Sequence, residues 1–198
     1  MTFLSSRKTL FGVDSIINIA NFIAMKAIIK NTILLSGFLS FAMSAFPQCE
    51  IQNLIYPDGS MLYYIEPVNF YWTQSKNLKG GVVTDKENYY LALQPSPFPE
   101  KPLGHKLKDD LELKLANDST YRLKHFDTRY MEHDTVMQML YFIDPPYVDD
   151  LLKFEAVSVR INMGSTEGLR TYVFKLHKAA IKEQLDCFLK EKENKKKK

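Results

Sequence analysis

The chain lacks the short motifs that announce common chemistries. Its eight glycines form no phosphate-cradling loop, and neither a Gly-x-Ser-x-Gly elbow nor a Cys-x-x-Cys pair occurs, which removes the signatures of P-loop nucleotide binding, serine hydrolysis and dithiol redox chemistry. Internal repeats are absent. Long hydrophobic runs are missing too: the most apolar segment, Ile33 to Met43, covers 11 residues, whereas a helix needs roughly 20 to cross a bilayer.

What is present explains that short run. Lys26 and Lys30 precede it and small residues follow it, the arrangement of a secretory signal peptide over residues 25–45. Ala42 and Ser44 fit a small-x-small cleavage pattern, placing the cut after Ser44 or Ala45, and Pro47 prevents a helix from continuing. Met25, followed at once by lysine, is the better initiator, with residues 1–24 a mis-assigned start; a long n-region containing Arg7 and Lys8 is the alternative. The expected compartment is the periplasm or the exterior, with no transmembrane anchor after cleavage. A lipid anchor on Cys49 is disfavoured, because Phe46, Pro47 and Gln48 stand where a lipobox has a leucine and small residues.

Removing residues 1–48 takes four bases (Arg7, Lys8, Lys26, Lys30) and one acid (Asp14) from totals of 26 and 23, leaving 22 of each. The apparent basicity therefore disappears. Four of those bases form the terminal run Lys195 to Lys198, read as part of a disordered tail over 193–198, and nucleic acid loses its electrostatic argument as a partner. The remainder, residues 46–192, is one domain of ordinary size. Both cysteines, Cys49 and Cys187, fall inside the exported part, where oxidation is permitted. A disulfide between them and two free thiols are both compatible with the sequence.

The exported part reads as mainly β, a mostly antiparallel sandwich or open barrel with a short internal helix and a C-terminal amphipathic helix. Strands are expected at 61–65, 70–73, 82–84 and 89–94, the last ended by Pro95, Pro97 and Pro99 in an extended loop. Leu111, Leu113 and Leu115 alternate with Glu112 and Lys114 before the turn Asn117-Asp118-Ser119, which predicts a hairpin. A buried strand over 135–143 is stopped by Pro145 and Pro146, and a short helix follows over 147–154. A second hairpin joins 157–163 to 169–176. Ile181, Leu185, Phe188 and Leu189 form one stripe of a helix over 178–192.

The order of hairpin, apolar strand, helix containing Asp149-Asp150-Leu151-Leu152 and strand Val157-Ser158-Val159-Arg160-Ile161 resembles a group of uncharacterised exported bacterial proteins over residues 88–190. The resemblance implies a secreted or periplasmic β-rich domain and brings no catalytic residues.

Three sets of residues are candidates for function. The cluster from Lys124 to Asp134 holds His125, Asp127 and His133, donors suited to zinc or a related divalent ion, but its spacing matches no metal motif and a charged surface loop is the preferred reading. The aromatics Tyr64, Tyr71 and Trp72, within the run 63–72, suit a platform for a glycan or an envelope protein, against ordinary packing as the plainer reading. Arg160 falls on the wet face of its strand, where a cross-strand partner is expected. The acid pairs Asp109-Asp110 and Asp149-Asp150 are read as structural, since neighbouring strand residues face opposite ways. The leading expectation is an exported binding protein with no cofactor and no chemistry of its own. A metal-dependent hydrolase of envelope or extracellular polymer using the 125–134 cluster is the alternative.

Overall fold

The structure, a computed structural model, describes residues 49–56, 59–104, 107–164 and 168–196. The predicted signal peptide, the segment before it and both cleavage positions lie outside the described residues.

The described residues form ten strands and three helices: β1 (Gln52–Ile55), β2 (Met61–Tyr64), β3 (Val68–Trp72), β4 (Asn77–Thr84), β5 (Tyr89–Ser96), α1 (Lys101–Gly104), β6 (Leu111–Leu115), β7 (Thr120–Met131), β8 (Val136–Ile143), α2 (Pro145–Lys153), β9 (Ala156–Asn162), β10 (Leu169–Val173) and α3 (Ala180–Lys196). The sheet runs β1-β2-β4-β5-β8-β7-β6-β9-β10, with β3 also paired to β4. Every pairing is antiparallel.

Two features curl this sheet. β7 is long enough to serve two neighbours: its first residues pair with β6, while Lys124 to Met131 pair with β8. At the opposite side, Phe70 O of β3 accepts hydrogen bonds from Lys175 N at 2.9 Å and Leu176 N at 3.2 Å, just beyond β10. The two ends of the eight-stranded run from β3 to β10 are thus brought together as an open barrel, joined at this one carbonyl without a strand ladder.

Alternation decides what fills it. Leu78 and Val82, Leu91 and Leu93, Leu111, Leu113 and Leu115, Met137, Met139 and Tyr141, and Val159 and Ile161 all join one buried cluster. Phe70 and Phe174 stack at the closing seam, with ring centroids 4.4 Å apart. A Cβ on Gly80 would lie 3.1 Å from the Phe70 ring and 2.5 Å from Ala92 O, so the strands approach closely there because no side chain intervenes. A smaller second cluster, Leu62, Val83, Tyr90, Ala92 and Leu140, lies beneath Tyr56, Tyr64 and Phe142.

The helices complete the core. Pro145 and Pro146 open α2, which buries Leu151, and Tyr121 on β7 donates to the Asp150 carboxylate. α3 places Ile181, Leu185 and Phe188 in the main cluster. Its Gln184 meets a backbone need. β2 covers β4 only at Val83 and Thr84, and β3 stops at Gly80, so Val82 N donates to Gln184 Oε1 at 2.6 Å. A buried N–H without an acceptor is costly, and Gly81 leaves room for the amide to approach.

Several expected boundaries move. Residues 125–131 are strand and not loop, because a bulge between His125 and Asp127 interrupts the alternation on which a strand reading rests. The turn itself is confined to residues 132–135, of which Glu132, His133 and Asp134 have positive φ. The lysine tail is helical as far as Lys196, helped by the i,i+4 ion pair from Lys195 to Glu191 at 3.0 Å. β5 continues through Pro95, where pairing to β8 has already ended at Leu93, so the missing N–H breaks no bond on that side. β1, exposed at all four positions, carries no hydrophobic alternation and is unanticipated.

Candidate functional site

The turn joining β4 to β5 is stiffened by its own polar residues. The Asp85 carboxylate accepts hydrogen bonds from Glu87 N at 2.9 Å, Asn88 N at 2.7 Å and the Tyr90 hydroxyl at 2.9 Å. Thr84 Oγ1 donates to Asn88 O and accepts from Lys86 N. Burial works against the Asp85 charge, but the Asn88, Tyr90 and Glu87 donors together hold its carboxyl below the usual carboxylate range. Burial, reinforced by the bond to Asp85, pushes the Tyr90 hydroxyl up to about 12. Held this way, Lys86 adopts a φ of 83°. Its ammonium lies 4.7 Å from the centre of the Tyr63 ring, and its carbonyl accepts from Lys192 Nζ at 3.2 Å.

Two clefts share Tyr63 and Lys86. The first has a volume of about 460 Å³ and lies between β2, this turn and α3. Ile51, Tyr63, Tyr89 and Phe188 supply its apolar lining, while Lys86, Glu191, Lys192 and Lys195 supply its charge. The disulfide between Cys49 and Cys187 pins it at both sides, with Cα atoms 5.7 Å apart: Cys187 immediately precedes Phe188, and Cys49 lies two residues before Ile51. The second cleft, about 540 Å³, adds Asp85, Tyr90, Phe126 and Arg129 on the other side of the Lys86–Tyr63 pair. The Arg129 guanidinium sits 3.7 Å above the Tyr56 ring and pairs with Asp127. A third, more polar cleft of about 420 Å³ is bordered by Tyr71, Lys76, Arg170 and Tyr172.

The aromatic residues singled out from sequence do not share one surface. Tyr64 packs on the second cluster, whereas Tyr71 packs on the main core and meets Tyr172 edge-on at 5.6 Å. Trp72 is 62% exposed at the end of β3. The metal expectation is likewise not met by the geometry. His125 stands beside Tyr141 and 2.8 Å from Thr128 Oγ1, Asp127 pairs with Arg129, and His133 is exposed in the turn after β7. The bulge at Phe126 sends His125 and Asp127 apart, and among the described residues no group of three His, Cys, Asp or Glu side chains is placed to hold a metal. Asp110 pairs with Arg122 and Arg160 pairs with Glu112 across strands.

Burial lowers the pKa of His125 from its ordinary value of 6.5, with Asp127 opposing the shift. Between the folded value and 6.5 the unfolded chain therefore binds the proton more readily. The stability this contributes is present above 6.5 and is lost as pH falls through the folded value. A ring-proton NMR titration is expected to give His125 a midpoint below 6.5. A midpoint at or above 6.5 contradicts the burial argument.

Comparison with family models, with curated protein sequences and with solved structures returned no match. The site rests on geometry alone. Tyr63 and Phe188 stand out in sequence only as an aromatic and as part of a helical stripe; the signal that could have found the first cleft is the closeness of Ile51 and Phe188 to the two cysteines.

Proposed function

We propose that this is an exported binding protein, periplasmic or secreted, that holds a small apolar or amphipathic ligand in the cleft between β2, the β4–β5 turn and α3, and performs no chemistry on it. The observation that carries the reading is the cleft itself. Its volume of about 460 Å³ falls within the range of about 300–1,000 Å³ typical of small-molecule sites, and its walls are aromatic and aliphatic with charges confined to a few lysines and one glutamate. Export is supported by the Cys49–Cys187 bond, since such bonds persist in oxidising compartments and are rare in the cytosol, and by the signal-like segment 25–45.

The test uses N-phenyl-1-naphthylamine, an uncharged dye that fluoresces in apolar surroundings. The oxidised protein is expected to bind one equivalent saturably. Ile51→Glu, which places a carboxylate on the apolar wall at a partly exposed position, is expected to weaken binding by at least tenfold while the melting temperature changes by only a few degrees. Absence of saturable binding, or unchanged binding in Ile51→Glu, rejects this cleft as the ligand seat.

A further inference from the structure

We infer that the ligand of the first cleft is a single-chain amphipathic anion, specifically a medium-chain fatty acid whose carboxylate sits at the lysine rim; this rests on the proposal that the cleft is a ligand seat.

The charge pattern points to the sign. Three lysines and one glutamate border the cleft, and only Lys195 is neutralised by that glutamate, at 3.0 Å. Lys86 and Lys192 have no carboxylate partner among the described ion pairs. Both reach the same cleft: Lys192 Nζ lies 3.2 Å from the Lys86 carbonyl, and the Lys86 ammonium lies 4.7 Å from the centre of the Tyr63 ring. Their positive charges are not offset by a carboxylate in those ion pairs, and an anion at the rim would accept hydrogen bonds from them. A cationic head group would be repelled there. A neutral one would gain no ion pair.

The walls point to the remainder of the molecule. Ile51, Tyr63, Tyr89 and Phe188 offer no cluster of side-chain amides or carboxylates for a polyhydroxylated body, and they suit methylene groups. The volume of about 460 Å³ lies toward the lower end of the usual range for ligand sites, which favours one short chain over a two-chain lipid. The disulfide beside Ile51 and Phe188 keeps the walls together before binding, so less ordering is required when the chain enters.

Three ligands with the same chain separate these claims: decanoate, decanol and decyltrimethylammonium, each used below its aggregation concentration to displace the neutral naphthylamine dye at pH 7.5. Decanoate is expected to compete at least tenfold more strongly than decanol, and decyltrimethylammonium more weakly than either. The double substitution Lys86→Met with Lys192→Met is expected to abolish the decanoate preference while dye binding persists, and added salt is expected to reduce the preference in the unsubstituted protein. If the dye binds and is lost in Ile51→Glu, yet the three compounds compete equally or the cation competes best, the fatty-acid inference falls and the ligand seat stands. If the dye itself does not bind, both fall. A decanoate preference that survives removal of both lysines also overturns the inference, because the carboxylate is then recognised elsewhere.

Discussion

Breaking the Cys49–Cys187 bond is expected to lower the melting temperature by roughly 10–20 °C. The bond closes a loop with a sequence separation of 138, and in the chain-entropy model such a cross-link stabilises a fold by on the order of 4–5 kcal/mol. For a domain of this size each 1 kcal/mol moves the midpoint by about 2–4 °C. The effect should also be local. β1 is exposed throughout and, among the described residues, pairs with β2 alone, so the disulfide adds a covalent tether to the N-terminal segment that carries Ile51. Calorimetry of the oxidised protein, the reduced protein and Cys49→Ser with Cys187→Ser measures the shift. A change of less than about 3 °C in all comparisons would show that the strand pairing suffices without the bond. Dye binding in the same samples is expected to weaken on reduction, since the segment carrying Ile51 then loses its covalent tie to α3.

Phe70→Ala is the substitution expected to damage the fold most, by about 3–5 kcal/mol in urea unfolding. Phe70 is fully buried and stacks on Phe174 with an interplanar angle of 4°. It also stands over Gly80, whose missing side chain makes its place, so no neighbour is positioned to collapse into the void. Its carbonyl accepts both hydrogen bonds that join β3 to the chain beyond β10. Truncation therefore removes apolar contact at the one seam where the barrel closes. Trp72→Ala, two residues along the same strand and 62% exposed, is the control, with an expected change within about 0.5 kcal/mol. If the two substitutions cost the same, the seam has been misidentified.

Much of the architecture is legible in the pattern of residues. The alternation of Leu111, Leu113 and Leu115, and of Val159 and Ile161, produces paired strands with those side chains inward. The stripe Ile181, Leu185 and Phe188 produces a helix buried on that side. Such periodicities are local consequences of backbone geometry, and a single segment carries them whole. The failures have equally specific causes. The bulge at Phe126 adds a residue to β7, so His125 and Asp127 leave the alternating pattern and the segment has the look of a loop in sequence. β1 is stabilised by a partner strand and a remote cysteine and has no apolar face to betray it.

The candidate site was less legible than the fold. Its components come from residues 51, 63, 84–89 and 188–195, and no local pattern links them. Tyr64, Tyr71 and Trp72 are neighbours in sequence but not in packing, since the connection between β2 and β3 carries Tyr64 to one apolar cluster and Tyr71 to the other. His125, Asp127 and His133 are separated for the same kind of reason: strand pleat and turn geometry send nearby side chains in different directions.

The signal-like segment, the balanced charge of the chain beyond residue 48, the β-rich class and the amphipathic final helix follow from residue order, because each depends on composition or on a short period. Pairing of Cys49 with Cys187, closure of the sheet at Phe70, and the meeting of Ile51, Tyr63, Lys86 and Phe188 around one cleft were decided only by tertiary structure. These are contacts between residues remote in the chain, selected by which strands lie side by side and by the need of Val82 N–H for the Gln184 acceptor. Local sequence specifies the pieces and the faces they bury; the cleft exists because closing the barrel and docking α3 satisfy those faces together.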